Sequence, residues 1–121
     1  MVLLLVILKY DMNLREITKK YFYELNNKML DQMQNILSND CILTSWEGEK
    51  QGKKEVINEI INLFEANLKF YVYDCGIFVD EDSSTVVVEF TVRSSTEEID
   101  IVDVIKFNKD EKIFSIRAYK G

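Results

Sequence analysis

The most informative segment of the sequence reads Glu98-Ile-Asp-Ile-Val-Asp-Val-Ile-Lys-Phe-Asn108. Its β-branched residues favour a strand. Because successive side chains of a strand point to opposite faces, Asp103 falls between Ile101 and Ile105 on a face that is otherwise apolar. A carboxyl group in that position must be paired, bound to a ligand or kept protonated by desolvation. We expect an inward Asp103 whose pKa is raised.

The second half of the chain predicts an antiparallel meander. We expect four strands rich in valine, isoleucine, phenylalanine and tyrosine: 70–79, 84–94, 98–108 and 112–120. Polar turns at 80–83 and 108–111 would join neighbouring strands as hairpins. In the second strand the alternation gives one apolar face, which carries Val86, Val88, Phe90 and Val92.

The first half of the chain predicts three helices. The first begins at the capping-box-like Asn13-Leu-Arg-Glu16 and carries Tyr21 on its apolar stripe. We expect a short second helix at 29–37, a break at 38–40, a short strand at 41–44 and a polar turn at 46–52. A third amphipathic helix covers 53–68. Helices followed by a meander indicate an α+β domain, with the helices on one face of a curved sheet.

Composition excludes several classes of function. The chain has 121 residues, a net charge of −6 and no histidine, which removes His-dependent nucleophiles and HExxH zinc sites. An acidic domain repels phosphate backbones, so we expect no nucleic-acid partner. Cys41 and Cys75 lack a CxxC spacing and are interpreted as small buried hydrophobes in a reducing, cytoplasmic compartment. Nothing in the sequence requires a metal or an organic cofactor, and we expect neither.

The chain begins with an apolar run, Met1-Val-Leu-Leu-Leu-Val-Ile-Leu8. This run is too short to span a bilayer, and it lacks the basic region and cleavage site of a signal peptide. It could be an extra β-strand, a hydrophobic arm that packs on a partner subunit, or an extension ahead of Met12. We favour a strand or arm over residues 1–12, followed by a single domain at 13–121, and we expect no membrane partner.

The order of these elements, together with several local phrases, resembles the nuclear transport factor 2-like superfamily, nearest its SnoaL-like and ketosteroid-isomerase-like branches. The resemblance implies a cone: a strongly curved, mostly antiparallel sheet wrapped over three helices of the N-terminal half. It also implies an apolar cavity at the open end and a homodimer formed through the sheet. The phrases that carry it are Tyr21-Phe22, Leu37-Ser-Asn-Asp-Cys-Ile-Leu43, Gly52-Lys-Lys-Glu-Val-Ile57 and Val102-Asp-Val-Ile-Lys-Phe107.

The resemblance to the steroid isomerases also implies a site. Tyr21 and Asp103 match the two hydrogen-bond donors that face the substrate oxygen. The position of the second aspartate, which abstracts the proton in those enzymes, is matched by Ser45, and a neutral serine is no general base. Glu47 is then the best remaining candidate for the base. The residues expected to bind the ligand are Ser45, Trp46, Val88, Phe90 and Ile101.

Three classes of function stay open on the sequence. The chain could be an isomerase or cyclase acting on a small apolar molecule with an enolisable carbonyl. It could bind a carbonyl or phenol-like molecule without turnover. It could also be a structural or interaction domain whose cone is filled by its own side chains. Asp103 favours the first two classes, and Ser45 favours the last two. The partly apolar opposite face of the sheet, with Val87, Val102 and Val104, is expected to serve the dimer.

Overall fold

The computed structural model describes residues 13–121, with the side chains of 73–75 excepted. Three helices in the first half of the chain and six strands make up this part. The elements in chain order are α1 (Leu14–Asn26), α2 (Leu30–Gln34), β1 (Leu37–Ser45), β2 (Gly48–Gln51), α3 (Lys53–Glu65), β3 (Lys69–Asp80), β4 (Thr85–Arg93), β5 (Glu98–Phe107) and β6 (Ile113–Lys120). The predicted α+β class is confirmed. The strand or arm expected at residues 1–12 lies outside the described residues.

The six described strands form one sheet in the order β2-β1-β6-β5-β4-β3. Every neighbouring pair is antiparallel except β1 with β6, which is parallel. The register shifts between Leu37 and Ile42 in β1, and between Val72 and Ile77 in β3. Because such irregularities bend a strand and increase its twist, the sheet curves around the helices. The predicted curved, mostly antiparallel sheet is confirmed.

The helices close the inner face of this sheet. Helix α1 begins where predicted, since the side chain of Asn13 accepts a hydrogen bond of 3.0 Å from the backbone N–H of Glu16. It packs against β3, while α3 packs against β1. The core lies between the helices and the sheet. The face of β4 that was predicted to be apolar contributes to this core. The buried side chains of the three elements include Tyr21, Phe22 and Leu25 of α1, Val56, Ile57 and Ile60 of α3, and Val86, Val88, Phe90 and Val92 of β4.

The region from 29 to 52 differs from the prediction. The second helix ends at Gln34, and β1 runs through the expected break at 38–40. The reason is long-range pairing, because the backbone N–H of Ile113 binds the carbonyl of Ile36 at 2.8 Å and Leu37 pairs with Ile113. The turn expected at 46–52 contains β2, which pairs with the second half of β1. Backbone pairing therefore overrides the local polar composition.

The lengths of the helices and the burial of Cys41 bear on two of the expectations. No helix within the described residues is long and apolar enough to cross a membrane.

Cys41 is completely buried, as expected for a small hydrophobe. Burial and the neighbouring Asp40 raise the pKa of its thiol to about 12, so it is an unreactive thiol at neutral pH.

Candidate functional site

A cavity of about 210 Å³ lies between the helices and the inner face of the sheet. Its volume is below the roughly 300–1,000 Å³ of sites for drug-sized ligands, so it suits a one-ring molecule. Six lining residues carry polar groups: Tyr21, Ser45, Trp46, Glu47, Glu59 and Asp103. The other lining residues are apolar: Leu25, Leu43, Ile60, Leu63, Leu68, Phe70, Phe90, Val92, Ile99, Ile101, Ile116 and Ala118.

Asp103 lies in the wall of this cavity on strand β5. In the sheet it faces Val88 of β4 and Ala118 of β6. The residue is 6% exposed, and its Oδ1 is buried without a hydrogen-bond partner among the described residues. Burial raises the pKa of the carboxyl from 3.8 to about 8. Asp103 is therefore a neutral carboxylic acid near neutral pH, with one O–H donor and free acceptor capacity.

Tyr21 reaches the same cavity from helix α1. The residue is 4% exposed, and its ring is held edge-on against Phe22 with the centroids 5.1 Å apart. Burial first, and then the charges of Asp103 and Cys41, raise the pKa of the phenol above its usual value. Tyr21 therefore stays a neutral O–H donor, and it lies close enough to Asp103 to sense its charge.

The outer end of the cavity, here called the mouth, is formed by Trp46, Glu47 and Glu59. Trp46 is 47% exposed, Glu47 is exposed and Glu59 is half-buried. Ser45 ends β1 beside the mouth, and its Oγ accepts a hydrogen bond of 3.1 Å from the backbone N–H of Glu47. The hydroxyl thus stabilises the turn between β1 and β2, which orients the two residues that follow it.

One expected ligand-binding residue lies elsewhere. Val88 is on the inward face as predicted, but it is completely buried in the core and does not line the cavity. Val88 does not reach the cavity because it lies deep between β3 and β5, where it pairs with Ile77 and Asp103. The structure brings the other seven predicted site residues to the cavity wall: Tyr21, Ser45, Trp46, Glu47, Phe90, Ile101 and Asp103. Their roles stay predictions.

The sequence reasoning missed Glu59. This residue precedes Ile60, which is 2% exposed and belongs to the apolar stripe of α3. A carboxylate that flanks such a stripe faces the edge of the core, and this position was the available signal. Among the side chains that the structure describes, which are those of residues 13–72 and 76–121, no cluster of three or more acidic or thiol groups is arranged to hold a metal ion.

No model of a known protein family matches the chain, and neither does the sequence of any curated protein. Solved structures, in contrast, are similar to it. A nuclear transport factor 2-like protein of unknown function from Cytophaga hutchinsonii has a TM-score of 0.78 at 14% identity, covering 91% of this chain and 91% of that chain.

Two further solved structures have names that refer to reactions. SalBIII, an epoxide hydrolase/cyclase-like enzyme with a role in pyran ring formation in the polyether salinomycin, has a TM-score of 0.77 at 17% identity, covering 89% of this chain and 90% of that chain. A proposed ketosteroid isomerase from Kribbella flavida has a TM-score of 0.79 at 14% identity, with 89% and 77% covered. The chain therefore has the nuclear transport factor 2-like fold.

Proposed function

We propose that the chain binds a small apolar molecule whose carbonyl or phenolic oxygen is held by Asp103 and Tyr21. The observation that carries this proposal is the buried Oδ1 of Asp103, which has no hydrogen-bond partner among the described residues. An unsatisfied buried polar atom costs about 1–3 kcal/mol. Asp103 also lines the cavity, so a turn of its carboxyl group would present the unsatisfied oxygen to a ligand there, and that ligand would remove the cost.

The chemistry of the two side chains selects the kind of oxygen. A protonated Asp103 donates one hydrogen bond and accepts another, and Tyr21 donates a second. A phenolic O–H complements all of these groups, because it both donates and accepts. A carbonyl oxygen accepts from both donors, and any negative charge that develops on it is stabilised in a cavity with a low dielectric constant.

The cavity argues against a cone filled by its own side chains. About 210 Å³ remains open beside Asp103, whereas protein interiors contain few voids larger than a water molecule. Four larger grooves, of about 470, 540, 290 and 270 Å³, are more open to solvent, and none is lined by Asp103 or another buried carboxyl without a partner among the described residues. The cavity beside Asp103 is thus the better ligand site.

A second candidate function is an isomerase- or cyclase-type reaction in the same cavity. It is favoured by the carboxylates of Glu47 and Glu59 on the wall, since proton abstraction needs a base near the reacting carbon. Two proteins with the same fold are named as a cyclase-like enzyme and a proposed isomerase. Binding is the primary proposal, because Ser45 occupies the position expected for the base.

Calorimetric titration with 4-ethylphenol tests the binding proposal. We expect saturable binding with one site per chain, and loss of most of this binding in Asp103→Val, which keeps the strand but removes both hydrogen-bonding oxygens. Asp100→Asn is the matched control, because Asp100 is an exposed carboxyl on the opposite face of β5. Absence of binding by the parent chain, or equal binding by Asp103→Val, would contradict the proposal.

A further inference from the structure

We infer that the cavity selects molecules that carry an ammonium group at the end remote from the bound oxygen, so that its ligands are small phenolic or carbonyl amines. This inference rests on the proposed function, because it takes the oxygen to lie at Asp103 and Tyr21. It adds a second recognition element at the mouth, and it names the charge of the ligand.

The charged groups that line the cavity are all acidic. The charged or acidic side chains on the cavity wall are Asp103, Glu47 and Glu59, and neither lysine nor arginine is among the residues that line it. A second observation, besides the acidic lining, also indicates a ligand. Asp103, 6% exposed and with a buried unpartnered oxygen, independently marks the inner end as a place for a polar ligand group.

The acidic groups differ in how deeply they are buried. Asp103 and Tyr21 are buried at the inner end, while Glu47 is exposed and Glu59 half-buried at the mouth. We therefore place the opposite substituent of a one-ring molecule, whose oxygen lies at Asp103, near the two glutamates. An ammonium group is attracted there, and a carboxylate is repelled by both side chains.

No charged partner among the described residues occupies the two glutamates at the mouth. Neither forms an ion pair with another described residue, and their carboxylates accept no hydrogen bond from one. Lys50 lies opposite Leu43 of the cavity wall, but it is exposed and forms no ion pair with a described residue either. Arg117 and Lys120 line a neighbouring groove that shares Ser45 and Trp46 with the cavity, but neither lines the cavity itself. The carboxylates of Glu47 and Glu59 are therefore not neutralised by an ion pair with a described residue.

Three probes with the same phenol ring test the inference: tyramine, 4-ethylphenol and 4-hydroxyphenylacetate. They are cationic, neutral and anionic at the far end and nearly equal in length. We expect tyramine to bind about three- to tenfold more tightly than 4-ethylphenol at low salt, as partly exposed charge pairs allow. The anionic probe should bind more weakly than 4-ethylphenol. Added salt should reduce the preference.

Single variants locate the effect. Glu59→Gln and Glu47→Gln should each lower the ratio of tyramine affinity to 4-ethylphenol affinity, because the ammonium group senses the lost charge and the neutral ligand does not. Glu49→Gln is the matched control. It removes the same charge from β2, at a position opposite Thr44 and outside the cavity lining, and it should keep the parent preference.

The outcomes separate the two proposals. If 4-ethylphenol fails to bind, the proposed function is wrong and the inference falls with it. If 4-ethylphenol binds but the three probes bind equally, or Glu49→Gln removes as much preference as Glu59→Gln, the inference alone is overturned. A preference for tyramine that depends on Glu47 and Glu59 supports both.

Discussion

Tyr21 of helix α1 and Asp103 of strand β5 meet at the wall of one cavity, where the charge of Asp103 contributes to the raised pKa of the tyrosine. Each residue is almost completely buried. The fold thus places two neutral hydrogen-bonding groups from different layers on the wall of a mostly apolar cavity. We propose that this pair holds one ligand oxygen.

Replacing Asp103 by Asn should change the pH dependence of stability. The folded-state pKa of about 8 lies above the ordinary value of 3.8, so the folded chain holds the proton more tightly than the unfolded chain. The contribution of Asp103 to stability therefore falls as pH rises from about 4 to about 8, and it falls no further above that range. Each unit of pKa difference corresponds to about 1.4 kcal/mol. Asp103→Asn should have little effect at pH 4 and stabilise the chain at pH 9.

Chemical denaturation of both proteins at several pH values measures this effect. Asp100→Asn, which removes an exposed carboxyl from the same strand, controls for the loss of a carboxyl as such. A parent whose free energy of unfolding increases between pH 4 and pH 8, with Asp103→Asn less stable than the parent at pH 9, would show that Asp103 is a stabilising charged group instead.

Replacing Tyr21 by Phe should weaken ligand binding without unfolding the chain. The ring keeps its edge-on contact with Phe22, and only the donor to the ligand oxygen is lost. One such hydrogen bond contributes about 0.5–1.5 kcal/mol, so we expect the affinity for 4-ethylphenol to fall about three- to tenfold. Calorimetry gives the affinity and thermal unfolding gives the stability. An unchanged affinity would remove Tyr21 from the site.

Replacing Ser45 by Asp should introduce or increase isomerase activity. The carboxylate would stand at the end of β1 on the cavity wall, where the chain now has a hydroxyl. General-base catalysis contributes roughly a hundred- to ten-thousand-fold, so even a badly placed base should be detectable. Conversion of 3-cyclohexen-1-one to its conjugated isomer, followed by ultraviolet absorbance, is the assay. Ser45→Asn has the same size without the base, and equal rates for the two variants would contradict this account.

The outer face of the sheet should form a homodimer. Phe78, which is 52% exposed, faces Val87, which in turn faces Val104 across the next strand pair. This apolar row on the solvent side of the sheet would be covered by a second copy. Sedimentation at micromolar concentration should show a dimer, and Val104→Lys should shift it towards monomer. Asn58→Lys adds the same charge on exposed helix α3 and should not. A monomeric parent would refute the prediction.

The long strands of the second half, and the inward place of Asp103, could be predicted because their alternation is local. The course of residues 37–51 could not, since β1 exists through its parallel pairing with the last strand. Contacts between distant elements also limited the prediction of the site. Val88 is on the predicted inward face of the sheet, but it lies deeper than the cavity. Glu59 reaches the cavity only because α3 packs against β1. Depth and packing direction are properties of the assembled layers.

The central claim is that Asp103 and Tyr21 hold a ligand oxygen, and a crystal structure with 4-ethylphenol at saturating concentration tests it most directly. We expect the ring inside the cavity, with its oxygen about 2.5–3.2 Å from a carboxyl oxygen of Asp103 and from the hydroxyl of Tyr21. A cavity that stays empty, or a ring bound with its oxygen away from Asp103, would contradict the account.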